Sequence, residues 1–222
     1  MVGDATSDPL DLPLGHRTAV NARHRASYDL VASDYAARNQ EMPEDVVTSA
    51  KQFSALIGAG PVLDLGCGHG RDMAWFGQRG ISMVGADLSE GMLAQARRRV
   101  GDPLVQLDMR HLAFRNARFR GVWSDAAMLH LPKSDLPGIL SEVSRVLIPG
   151  GVLFSAVQIG EGEGWEAWDC DQSVLRFFVR YSCAEFAGML ASAGFTVQAQ
   201  SDRRISSRRH WAHFLASRDT RT

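Results

Sequence analysis

The segment VLDLGCGHGRD, Val62 to Asp72, constrains this chain more than any other. A short apolar run carrying one acid gives way to glycine at alternate positions, Gly66, Gly68 and Gly70, and then to residues compatible with a helix. Glycines so placed permit a tight turn and close approach of a ligand to backbone N–H groups. The segment therefore predicts a strand turning sharply into a helix around a nucleotide. Its spacing is G-x-G-x-G, whereas the dinucleotide fingerprint is G-x-G-x-x-G.

The surrounding pattern gives that turn an architecture. Tyr28, Val31, Ala32 and Tyr35 share one face of a helix predicted over about Asn21–Arg38, and Val46, Val47, Ala50, Phe53 and Ile57 one face of a second over Glu44–Ile57. Short apolar runs then alternate with helical stretches: Val62–Leu65, Ile81–Ala86, Leu104–Leu107, Val122–Ser124 and Val152–Val157. The clearest intervening helix turns Leu136, Ile139, Leu140, Val143 and Leu147 inward and stops at Pro149-Gly150-Gly151. Such alternation implies a parallel sheet covered on both faces. The end of the chain breaks the rhythm. Ser182 and Glu185 form a capping-box pattern that opens a helix, and after Gly194 two candidate strands, Phe195–Ala199 and Trp211–Ala216, are too close for a crossover and predict an antiparallel hairpin.

Composition narrows the class. The 222 residues, 45% hydrophobic and 22% charged with a formal net charge of −1, describe one globular domain with no global attraction to nucleic acid or anionic membrane. Three cysteines, Cys67, Cys170 and Cys183, have no metal-like spacing and do not suggest a disulfide framework. No apolar run approaches the roughly 18 residues of a spanning helix. The opening MVGDATSDPLDLPLGH has acids and prolines where a secretion signal would have basic residues and an apolar core. The expectations are a flexible tail over 1–16, a single domain over 17–222 and a cytoplasmic protein.

Three acids say which nucleotide. Asp64 precedes the first glycine, where it would repel a pyrophosphate but suits a ligand bearing an ammonium group. Asp87 ends the second strand, where a carboxylate accepts from ribose hydroxyls. Asp108 ends the third, in reach of an adenine amino group, with Leu88 and Met109 placed to pack against the ring. A nucleoside carrying positive charge fits all three, and S-adenosylmethionine is one.

At this point the sequence resembles the class I S-adenosylmethionine-dependent methyltransferases in their small bacterial single-domain form. The resemblance covers roughly Tyr28 to Ala216 and rests on VLDLGCGHGRD, on GADLSEGML, on Asp108-Met109 and on WSDAAMLHLPKSDLPGILSEVSRVLIPGGVLF. It implies a Rossmann-like α/β fold: a mostly parallel seven-stranded sheet, helices on both faces and an antiparallel C-terminal hairpin strand. It further implies S-adenosylmethionine as cofactor and S-adenosylhomocysteine as product. Gly66 and Gly68 would hold the methionine portion near Asp64, Asp87 the ribose, Leu88 and Met109 the adenine faces, and Asp108 its amino group. Ala126 would offer backbone to the methionine ammonium. The helices of 17–58 would form a lid, with Tyr35 at the cofactor carboxylate and Tyr28 at the methyl-transfer site.

The methyl acceptor is approached by what is missing. A D/N-P-P-aromatic motif, a nucleophilic cysteine or paired glutamates after the fourth strand would mark base, pyrimidine or arginine methylation; Ser124-Asp125-Ala126-Ala127 is none of these. The basic run Arg203, Arg204, Arg208, Arg209 reads as a solvated hairpin loop rather than an RNA site. His130 stands at the mouth of the site as a candidate general base, with a packed wall histidine as its alternative. Asp125 is a candidate acceptor anchor; partner carboxylates for a metal are not evident, and no metal is expected. The segment EGEGWEAWDCD, Glu161 to Asp171, holds acids and two tryptophans without a basic residue. As an acceptor-side lid insertion over 158–181, it would attract a cationic amine through Glu161 and Trp165, with Tyr181 lining the same pocket. The reading is therefore a small-molecule N-methyltransferase of bacterial specialised metabolism acting on an amine, with O-methylation of a hydroxylated metabolite or a non-catalytic cofactor-binding subunit as alternatives. Neither nucleic acid nor membrane is an expected partner, and the sequence does not indicate an oligomeric state.

Overall fold

The computed structural model describes residues 14–206 and 209–220. Helices α1 (Leu14–Arg38) and α2 (Glu44–Ile57) precede an alternating series: β1 (Val62–Leu65), α3 (Arg71–Gly77), β2 (Met83–Asp87), α4 (Glu90–Ala96), β3 (Leu104–Gln106) and β4 (Phe119–Ser124). Two 3-10 turns, Met128–His130 and Lys133–Asp135, lead into α5 (Leu136–Val146) and β5 (Leu147–Ile159). Then follow β6 (Glu163–Trp168), β7 (Asp171–Tyr181), α6 (Cys183–Ser192), β8 (Phe195–Arg204) and β9 (His210–Arg218). Residues 1–13 of the expected tail and Arg208 of the basic run lie outside the described residues, and α1 is already helical at Leu14.

The sheet runs β3-β2-β1-β4-β5, all parallel, with β9 antiparallel to β5 and β8 antiparallel to β9. Those seven strands are the ones expected. Strands β6 and β7 are additional: they pair antiparallel with each other, and β7 joins the far end of β5 through Gln158↔Arg180 and Ile159↔Tyr181. The segment expected as an acceptor-side lid insertion forms a hairpin. The run Val174–Val179, rich in β-branched and aromatic residues, has strong strand propensity.

Alternation along the central strands feeds two cores. Leu63, Val122 and Leu153 turn to α5 and α6, where Ile139, Leu140, Val143, Phe186 and Leu190 are fully buried. On the opposite face Trp123 is surrounded by Phe53, Phe76 and Phe154, whose ring centroids lie 5.3, 5.1 and 3.7 Å away. Each such side chain contributes about 1.5–3 kcal/mol through removal from water. This packing holds the C-terminal ends of β1, β2 and β4 on one edge, and α1 lies across that edge. No helix among the described residues is long and apolar enough to cross a membrane.

Candidate functional site

The order β2-β1-β4 opens a crevice beyond the strand ends, at the point where the chain order reverses. Its floor is the glycine turn. Gly66, Gly68 and Gly70 have φ of +82, +53 and +77°, which L side chains rarely adopt. Gly66 is also sterically required: a Cβ there would lie 2.2 Å from that of Ala127. Asp87 ties this turn to the next loop, accepting from Gly68 N on one oxygen and from Ser89 N on the other, each at 2.8 Å. Ala126 adopts φ of +54°, a conformation costly for a non-glycine residue and a frequent mark of functional loops.

One corner of the crevice is short of positive charge. Asp64, Asp72 and Asp125 all line it, and Arg71 is the cation among them, donating from Nε to Asp72 at 2.6 Å and from an Nη to Asp125 at 2.7 Å. Asp72 also accepts from the buried Trp123 indole at 2.8 Å, so it is fixed in place. Asp64 is 2% exposed and its Oδ2 has no hydrogen-bond partner. Burial, and then the charge of Asp72, push the Asp64 carboxyl well above the carboxylate range. The same two causes, in that order, raise Asp125 to about 7.

Helix α1 roofs the crevice through polar contacts. Asp29 accepts from Ser89 Oγ at 2.6 Å and from Gly91 N at 2.9 Å. Asn21 Nδ2 donates to Asp108 at 2.6 Å, and Arg110 grips the same carboxylate at 2.6 to 3.1 Å. His69 Nε2 meets Asn39 O at 2.8 Å just beyond the helix.

At the other corner, α1 and the turn after β4 satisfy the free edge of β7. Phe177 N donates to His24 Nδ1 at 3.2 Å, Ser27 Oγ donates to Leu175 O at 2.6 Å, and His130 Nδ1 lies 2.6 Å from Phe177 O. These partners assign the tautomers. His24 Nδ1 accepts, so its proton is on Nε2. His130 Nδ1 faces a carbonyl and must donate, which leaves Nε2 as the acceptor for Tyr28 O–H at 3.1 Å. Burial keeps both imidazoles neutral, lowering His24 well below the usual histidine range and His130 to about 3. Burial also raises the Tyr28 hydroxyl, so Tyr28 stays a donor.

The crevice gathers most of the expected residues: Tyr28, Tyr35, Asp64, Gly66, Gly68, Asp87, Leu88, Asp108, Met109, Asp125, Ala126 and His130 all line it. Three do not. Tyr181 is fully buried in the main core against Phe186, because the strand alternation of β7 turns it inward. Trp165 is sandwiched between Phe177 and the guanidinium of Arg23. Glu161 is exposed before β6. Neighbouring acids are committed elsewhere: Glu163 accepts from Lys133 N at 2.7 Å, Glu166 pairs with Arg180 and Asp169 with Arg209. A cation-attracting acidic lid is not what this segment forms. Asn21, His24, Arg71 and Asp72 also line the crevice and were not singled out from the sequence. Asn21, His24, Tyr28 and Tyr35 recur at helical spacing, so the signal was present in the polar stripe of α1.

Fold and crevice together define an α/β domain with a cleft between a glycine turn and an acid-rich corner. Residues 62–151 match the family described as a methyltransferase domain. Methyltransferase GfsG of Streptomyces halstedii is 35% identical over 100 residues, 41% of this chain and 35% of that protein. A malonyl-[acyl-carrier protein] O-methyltransferase of Enterobacter lignolyticus is 34% identical over 125 residues, 54% of this chain and 49% of that protein. The chain thus spans about a third to a half of the length of these relatives. Among solved structures, the 1,6-didemethyltoxoflavin-N1-methyltransferase of Burkholderia thailandensis superposes with a TM-score of 0.74 at 23% identity, over 99% of this chain and 98% of the other, and shares the fold. The matched family, the methyltransferase relatives and the shared fold support a class I S-adenosylmethionine-dependent methyltransferase.

Proposed function

We propose that this protein transfers a methyl group from S-adenosylmethionine to a small-molecule acceptor. The observation that carries the reading is the buried, unpartnered Asp64 oxygen beside the glycine turn, in a corner where three carboxylates face one arginine. An α-ammonium supplies the missing donor and charge. Asp87, with both oxygens already anchored to backbone, keeps lone pairs for ribose hydroxyls, and Leu88, Met109 and Asp108 form the adenine end. The bound cofactor brings an already activated sulfonium methyl, so what these residues contribute is binding, orientation and exclusion of water.

The Tyr28–His130 pair bears on the acceptor atom. His130 is neutral, but its Nε2 lone pair is engaged by Tyr28 and burial makes it a weak base. This supports acceptors that need no base: an amine nitrogen arriving deprotonated, or a carboxylate oxygen. A plain hydroxyl is less suited. Nitrogen remains the leading acceptor, supported by the toxoflavin-type N1-methyltransferase of the same fold; oxygen is the second reading, supported by the malonyl-[acyl-carrier protein] O-methyltransferases. Domain limits of 17–222, with the helices of 17–58 as a roof, belong to the same proposal.

Calorimetric titration of the ligand-free protein with S-adenosylhomocysteine, S-adenosylmethionine and NAD tests the reading. Micromolar binding of the first two and none of NAD is expected. Binding of NAD alone would overturn it. Cofactor binding without turnover across a panel of amines and acids would instead support a non-catalytic subunit.

A further inference from the structure

The corner opposite the acids has the reverse deficit. Arg176 lies on β7 between Val174 and Phe178 on one face of the strand; Val174 packs with Tyr35, and Phe178 contacts the His130 ring at 4.8 Å. The Arg176 guanidinium sits over Phe178 at 5.1 Å. Its Nε is buried with no hydrogen-bond partner, and no carboxylate among the described residues pairs with it. The acid directly across the hairpin is Glu166, whose carboxylate is taken by Arg180. Arg71, Arg110, Arg180 and Arg209 each have a carboxylate partner. A partly buried guanidinium left unpaired is unfavourable, since desolvation is not offset by a counter-charge.

Resting on the function proposed above, we infer that Arg176 forms a subsite for a carboxylate of the methyl acceptor. A guanidinium presents a planar fork of donors that matches a carboxylate in geometry as well as charge. The histidines at this corner are neutral: His24 accepts from Phe177 N, and His130 donates to Phe177 O and accepts from Tyr28. The subsite therefore has one formal charge, and it is positive. The cofactor's own carboxylate belongs elsewhere, because it shares a carbon with the ammonium and must stay beside Asp64, where Arg71 and the glycine-turn amides lie. The acceptor is thus an acid, whether the methyl goes to the carboxylate or to another atom of the same molecule.

The test uses the full chain saturated with S-adenosylhomocysteine and three matched probes: phenylacetate, phenylacetamide and phenethylamine. Ligand-observed NMR titration is expected to show phenylacetate binding at least tenfold more tightly than the other two. Arg176→Gln should weaken phenylacetate at least tenfold and leave S-adenosylhomocysteine affinity within twofold, and Arg176→Lys should recover part of the loss. A preference for the amine or the amide, or phenylacetate binding that survives R176Q, overturns the assignment. So does a matching loss of S-adenosylhomocysteine affinity, which would give Arg176 to the cofactor. Should R176Q fail to fold, the wild-type ranking and R176K decide. Failure of the wild type to bind S-adenosylhomocysteine would be a different result, one that overturns the proposed function.

Discussion

The Asp29 carboxylate accepts a 2.6 Å hydrogen bond from the Ser89 hydroxyl, joining residues 60 positions apart. Ser89 is the N-cap of α4, where its hydroxyl oxygen accepts from Met92 N, and it follows closely on Asp87. The roof helix is therefore fastened to the loop that follows Asp87. A second bond from Gly91 N to the same Asp29 oxygen reinforces this, and Gly91 has room for no side chain: a Cβ would lie 2.9 Å from the Asp29 backbone.

Asp29→Ala removes both bonds and leaves Gly91 N to solvent. The expected cost is about 1–2 kcal/mol, or a melting temperature lower by roughly 2–8 °C for a chain of this size. Hydrogen exchange should quicken in α1 and leave the β1–β4 amides as slow as in the wild type. Equal acceleration in the central strands would mean that α1 is not separately fastened.

Asp87→Asn keeps the shape but replaces one acceptor oxygen by a donor facing Gly68 N or Ser89 N. The buried mismatch and the lost charge are together expected to weaken S-adenosylhomocysteine at least tenfold, with an unchanged far-ultraviolet circular dichroism spectrum. Calorimetry reads the loss directly. Affinity within twofold of wild type would remove Asp87 from the proposed site.

Cofactor affinity should depend on pH through the acid corner. Burial and the Asp72 charge raise Asp64 and Asp125, the latter to about 7, so the ligand-free protein holds a proton that an entering ammonium displaces. Binding that releases a proton strengthens as pH rises: affinity for S-adenosylhomocysteine should climb up to about tenfold per unit below pH 7 and level off above it. Calorimetry in buffers of different ionisation enthalpy should register the released proton at pH 6. A flat profile from pH 5.5 to 8 would contradict the charge deficit.

His130 should carry its proton on Nδ1 and His24 on Nε2, which long-range proton–nitrogen NMR correlations distinguish. His130, lowered to about 3 by burial, should remain neutral at pH 5. The sign for stability follows: the unfolded chain takes up a proton near pH 6.5 that folded His130 refuses, so this group's contribution is intact above pH 6.5 and is lost progressively as pH falls toward 3. His130→Gln should flatten the decline of melting temperature across that window. Tyr28→Phe frees Nε2 and should raise the His130 pKa. An imidazole titrating near 6.5 in the wild type would contradict the hydrogen-bond assignment.

The glycine turn, the acids Asp64 and Asp87, the helix Glu44–Ile57 and the run of parallel strands were legible in sequence because each is set by short-range rules. Alternate glycines make a turn wherever they stand, and side-chain periodicity reports a buried face without reference to what covers it. Tyr28 and His130 were legible as separate candidates. Their hydrogen bond, across 102 positions, was not.

What only the tertiary structure decided is which charges meet. The acids of Glu161–Asp171 read as a trap for a cation because sequence shows charge but not partners; folding gives Lys133 N, Arg180 and Arg209 to three of them. Arg176, inconspicuous in a strand of apolar residues, is left without a carboxylate partner because the acid opposite it turns to Arg180. Local sequence determines the shape of a turn or a helix face. The balance of charge in a cleft is the sum over segments that approach only when the chain has folded, and it is this sum that bears on what the cleft accepts.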